Sequence, residues 1–75
     1  MTIRVECRDG DRDAPEPHAF WLGVRRVAVL RIVDRWFGPA QCWFRVEADD
    51  GHLYVLRWDE ATQDWELAAF TTGTG

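Results

Sequence analysis

Arg25, Arg26, Arg31 and Arg35 fall within one short stretch with Asp34 as the only acid among them, and Trp36, Phe37 and Trp43 follow closely. Guanidinium groups neutralise phosphates and exposed rings stack on bases, so this combination is the chemistry of single-stranded nucleic-acid binding on a small barrel. The overall charge works against it. Thirteen acids outnumber nine basic residues and the net charge is −4, so the field of the whole molecule opposes an approaching polyanion. Binding of nucleic acid through Arg25, Arg26, Arg31 and Arg35 is therefore the alternative reading. The leading one gives the same neighbourhood to an unidentified protein partner, met by Trp43, Arg45, Arg35 and Trp36, because a barrel this small cannot cover its own outer apolar face.

Other chemistry finds little support. Serine is absent, and no nucleophile elbow, phosphate-binding glycine loop or metalloenzyme histidine pair occurs, so neither an enzyme nor a cofactor is expected. His18 and His52 read as solvent-facing side chains. Asp9, Asp11, Asp13 and Glu16 alternate as calcium ligands do, but the twelfth position of such a loop would be Phe20, and Arg8 and Arg12 oppose a dication. No metal site is expected. Cys7 and Cys42 are too few and too far apart for a zinc framework, and both are expected to act as small buried hydrophobes. All the basic side chains are arginine, lysine being absent, which suggests genomic bias in a GC-rich bacterium and weakens the count as a sign of phosphate contacts.

The elements that must position these residues read as strands. Seventy-five residues make one domain, and the 47% hydrophobic content and 29% charged content are ordinary for a globular protein. Five tryptophans sit in short runs of alternating apolar and charged residues, and large side chains are what so short a chain needs to close a core. No stretch approaches the roughly 20 apolar residues of a membrane-spanning helix, and Met1 opens directly on a strand pattern. A cytoplasmic location, away from membranes, is the expectation.

The pattern predicts an all-β domain: a five-stranded, strongly bent antiparallel barrel of SH3-like type, with strands near 2–7, 24–36, 42–48, 52–59 and 64–70. Residues 8–18 are expected to form an exposed loop and 71–75 a flexible tail. The strand at 24–36 carries apolar residues on both faces and is rich in valine and isoleucine, as a bent strand shared between two halves of a barrel would be. Gly23 reads as a turn or bulge before it.

Turn chemistry sets the registers. With Asp49-Asp50-Gly51 as a three-residue hairpin loop and Gly51 left-handed, Val46 falls beside Tyr54, Phe44 beside Leu56 and Cys42 beside Trp58. A four-residue loop at 60–63 then sets Trp58 opposite Trp65, Leu56 opposite Leu67 and Tyr54 opposite Ala69, with Arg57 and Glu66 paired on the other face. Trp43, Leu53, Val55 and Phe70 share that outer face. The first strand and Phe20–Leu22 are expected to cover most of it, leaving an exposed edge at Trp43.

The stretch from Phe20 to Phe70 resembles a family of small bacterial domains of unknown function. They occur alone or at the C-terminal end of Y-family polymerase-like proteins in DNA-damage mutagenesis cassettes. The matching elements are Phe20-Trp21, Gly23-Val24-Arg25-Arg26, Ile32-Val33-Asp34-Arg35-Trp36 and Trp43-Phe44-Arg45-Val46. Asp50-Gly51, Tyr54, Leu56, Trp58-Asp59, Trp65 and Leu67 complete the pattern. The resemblance implies a setting in DNA repair or damage tolerance and no catalytic residue. Together these features point to a non-catalytic binding or accessory module.

Overall fold

A computed structural model describes residues 2–8 and 16–71. Asp9, Asp11, Asp13 and Arg12, and all of the expected tail except Thr71, lie outside the described residues. The described chain contains seven strands: β1 (Thr2–Ile3), β2 (Val5–Arg8), β3 (Glu16–Leu22), β4 (Arg25–Phe37), β5 (Gln41–Ala48), β6 (Leu53–Asp59) and β7 (Asp64–Thr71). They form one antiparallel sheet in the order β1-β7-β6-β5-β4-β3-β2, curled into a half-barrel. The curl brings Phe20 of β3 edge-on to Tyr54 of β6, at 4.9 Å between ring centroids, although two strands separate them in the sheet.

Seven strands replace the expected five for two local reasons. The first strand breaks at Arg4, so that β1 pairs with β7 while β2 pairs with β3, and one segment meets both outer edges of the curled sheet. The second reason is β3, which begins at Glu16 inside the expected loop. Its polar and proline-bearing start hides a strand in which Pro17, Ala19 and Phe20 are buried. Gly23 has φ +63 and Val24 has no positive φ, the signature of a type II′ hairpin turn joining β3 to β4.

Strand β4 owes its bend to irregular pairing with β5. Register shifts fall between Val29 and Arg31 and between Ile32 and Asp34, and each extra residue rotates the strand's phase. Val27 and Val29 thus turn inward before Leu30, and Ile32 does so after it, which accounts for the apolar residues on both faces.

The β5–β6 hairpin has the expected register, from Glu47 with Leu53 through Cys42 with Trp58. Gly51 has φ +84 and donates its N–H to Ala48 O at 3.0 Å. Nothing lies within 4 Å of a Cβ placed on it, so the cost of Gly51→Ala is purely conformational. It should destabilise the fold by about 1–2 kcal/mol in urea unfolding, and an unchanged midpoint would contradict the turn. Trp58 faces Trp65 and Leu56 faces Leu67 as expected, and Arg57 is ion-paired with Glu66. A bulge between Val55 and Leu56 then sets Tyr54 against Phe70 instead of Ala69.

The core is the inner face of the curl: Ile3, Phe20, Val27, Cys42, Phe44, Val46, Ala48, Tyr54, Leu56 and Trp65, with Trp58 and Leu67 packed against it. Ile3 and Phe20 therefore fill the inside and do not cover the outer face. Cys42 is buried as expected, whereas Cys7 is exposed, although its neighbours shield the thiol enough to push its pKa up.

Candidate functional site

The outer face is built on the β4–β5 hairpin. Pairing sets Trp36 opposite Trp43 and Asp34 opposite Arg45, so the two indoles and the ion pair share one side of the two-stranded ribbon. Arg57 of β6 lies next to Trp43 and extends the row, ion-paired in turn to Glu66. Those ion pairs occupy the ends of both guanidinium groups, while Arg45 Nε and Arg57 Nε are buried without a hydrogen-bond partner. The Arg57 hydrogen bond and charge hold the Glu66 carboxyl below its ordinary value.

Trp36 is 47% exposed and Phe37 is 49% exposed, so the free end of this hairpin offers large apolar side chains to solvent. Trp43 is half-buried because its ring lies against the loop: a Cβ on Gly38 would come within 3.1 Å of Trp43 Cζ3. That loop is closed by the Gly38 N–H donating to Gln41 O at 2.7 Å. Of the residues expected to meet a protein, Trp36, Trp43 and Arg45 are thus brought together. Arg35 is not. It follows the opposite alternation, beside Phe44 in the pairing, and donates to Glu16 of β3 at 2.8 Å.

The arginines of the alternative reading are dispersed and neutralised. Arg25 lies 3.6 Å from Asp50 in the β5–β6 loop, Arg26 donates to Glu6 of β2 at 2.8 Å, and Arg31 donates to Glu47 of β5 at 2.7 Å. With Arg35 on Glu16, each of the four has a carboxylate from a different element. The bulges of β4 point neighbouring arginines in different directions, which a reading of residue types along a straight strand misses. The Arg26 hydrogen bond holds the Glu6 carboxyl below its ordinary value. Trp21, half-buried, lies beneath Arg4 at 4.5 Å and near Arg26 at 5.8 Å, in a cation–π arrangement. Of the five tryptophans, Trp58 and Trp65 serve the core, and Trp21, Trp36 and Trp43 lie outside it.

A second polar cluster escaped sequence reasoning. Asp50, read as a turn residue, accepts the Tyr54 hydroxyl at 2.5 Å and the His52 backbone N–H at 3.0 Å, with Arg25 nearby. Burial works against the Asp50 charge, but these donors and cations outweigh it and hold the carboxyl below its ordinary value. Burial first, then the Asp50 hydrogen bond and charge, push Tyr54 up to about 12. His52 also packs edge-on to Phe70, with centroids 5.3 Å apart. This cluster pins the hairpin to the core, and its Asp-x-x-x-Tyr spacing was the signal available beforehand.

His18 lies beside Arg8, with Nδ1 3.4 Å from Arg8 Nη2. Among the described residues, no three His, Cys, Asp or Glu side chains are grouped to hold a metal, and no helix is long and apolar enough to cross a membrane. The chain matches no protein-family model, no curated protein and no solved structure.

Proposed function

We propose that this protein is a non-catalytic binding or accessory module that meets a protein partner through the Trp36–Trp43 face, in the setting of bacterial DNA repair or damage tolerance. The observation that carries the reading is the division of labour on β4. All four candidate phosphate-binding arginines are paired with acids, while aromatic surface stands exposed at the hairpin end. Counterion release needs net positive charge facing the phosphates, and four neutralised pairs on an acidic molecule do not supply it. Exposed tryptophan flanked by arginine is, by contrast, the composition of protein-binding hot spots.

The setting rests on the resemblance carried by Phe20-Trp21, Asp34-Arg35-Trp36 and the aromatic meander that follows. An SH3-like barrel fits the bent β4 and the three-strand meander after it, with β3 as an added strand. A cytoplasmic location accords with this setting.

The competing nucleic-acid reading is separated by titrating a labelled mixed-sequence single-stranded oligonucleotide at low and physiological salt. No measurable binding is expected at physiological salt. Binding of about micromolar strength or tighter there, lost on replacing Arg31 and Arg35, would overturn the proposal, since a phosphate-dependent site must show both features.

A further inference from the structure

Strands β3 and β4 pair from Leu22 with Arg25 to Ala19 with Ala28, and there their ladder ends. Pro17 has no N–H to give, and β4 bends away at the first of its bulges to continue with β5. The parting strands leave an open groove of about 320 Å³ lined by Arg8, Pro17, His18, Val29, Leu30 and Arg31, together with Glu16 and Ile32. Beyond Val29, β4 has β5 on one side and, among the described residues, no strand on the other. Its backbone groups on that side form a sheet edge beside an apolar floor, and Leu30, 63% exposed, lies on that floor.

The charge of the groove selects the occupant. Glu16, its one carboxylate, is already held by Arg35, whereas Arg8 has no carboxylate partner among the described residues and faces His18. Arg31 is neutralised by Glu47, which leaves Arg8 as the guanidinium of the lining without a carboxylate partner among the described residues. The lining thus carries one uncompensated positive charge, that of Arg8, on a molecule whose net charge is −4. A second copy of this chain would present an edge recessed behind its own β3.

We infer that the groove between β3 and β4 takes an extended, acidic segment of another protein by strand addition, pairing with β4 beyond Val29, directing a carboxylate to Arg8 and resting apolar side chains on Leu30 and Val29. Main-chain pairing supplies affinity and the alternate side chains supply selectivity. The inference extends the reading of a binding module but does not depend on the Trp36–Trp43 face, so either can fail alone.

The test is a nuclear magnetic resonance titration of the isotopically labelled full chain with a capped octapeptide of alternating Glu and Val. Two controls are its Lys and Val counterpart and a version N-methylated at alternate amides. Shift changes are expected at residues 16–18 and 29–35, with slowed amide exchange on β4. Leu30→Asp, at a site 63% exposed and with its fold checked by circular dichroism, and Arg8→Glu should each weaken binding about tenfold, equivalent to about 1.4 kcal/mol. Absence of shifts, equal binding of the Lys and Val peptide, equal binding of the N-methylated peptide, or shifts confined to Trp36 and Trp43 would each overturn the inference. Self-association through the same residues would overturn it too, by assigning the groove to a second copy.

Discussion

Replacing Phe20 with alanine should cost about 3–5 kcal/mol and leave much of the population unfolded at ambient temperature. The ring is fully buried, sits edge-on to Tyr54, and belongs to the strand that the sequence pattern hides most completely. Its loss removes the buried area and opens a cavity between β3 and β6 that neither strand can collapse without breaking its ladder. Native proteins hold only about 5–15 kcal/mol in reserve, and a chain this short falls toward the lower end. Urea unfolding followed by circular dichroism measures it. A loss below about 1 kcal/mol, the effect of an average substitution, would show that β3 does not close the core.

The second large effect is expected at Asp50. Asp50→Ala strips the buried Tyr54 hydroxyl of its acceptor and frees the His52 amide, and it should cost about 2–3 kcal/mol, the value of hydrogen bonds to a charged group. The pH dependence follows from the direction of each shift. Folding lowers the Asp50 pKa, so its contribution is fully present above the ordinary value of 3.8 and is lost as pH falls through the lower folded value. Folding raises that of Tyr54, so its contribution is present below 10.0 and is lost as pH rises toward about 12. Asp50→Ala should therefore flatten the acid limb of the stability profile and shorten the alkaline limb, which still begins near 10.0 but ends at a lower pH with a smaller total loss. An acid limb identical to that of the parent would contradict the pinned turn.

The parts of the fold legible in advance are those where local turn chemistry and hydrophobic alternation agree. Gly51 fixes the β5–β6 register because its left-handed conformation and the facing pairs Phe44 with Leu56 and Val46 with Tyr54 demand the same loop length. Where backbone irregularity breaks the alternation, the pattern fails. The bulge before Ala69 lies in an Ala-Ala pair with no side-chain mark, and it turns Phe70 toward Tyr54 and His52 instead of the outer face. The bulges around Leu30 and Val33 likewise turn an apparent arginine stripe into separate ion pairs. Pro17 and His18 disguised β3 as loop, and with it the groove that β3 forms with β4. Trp36 and Trp43 were legible as candidates because they are large aromatic residues close behind the arginine-rich strand, while the partner of Arg35 lay on a strand not foreseen.

The central claim is that the exposed aromatic hairpin end binds a protein. Capture from a nuclease-treated extract of the native host, with the parent protein and Trp36→Ala as paired baits quantified by mass spectrometry, tests it most directly. Trp36 is 47% exposed, so its removal leaves the core intact, and a matching circular dichroism spectrum verifies the fold of the bait. The expected result is a defined protein retained by the parent and lost with Trp36→Ala. Equal recovery of the same proteins on both baits, or capture that vanishes once nucleic acid is digested, would contradict the account.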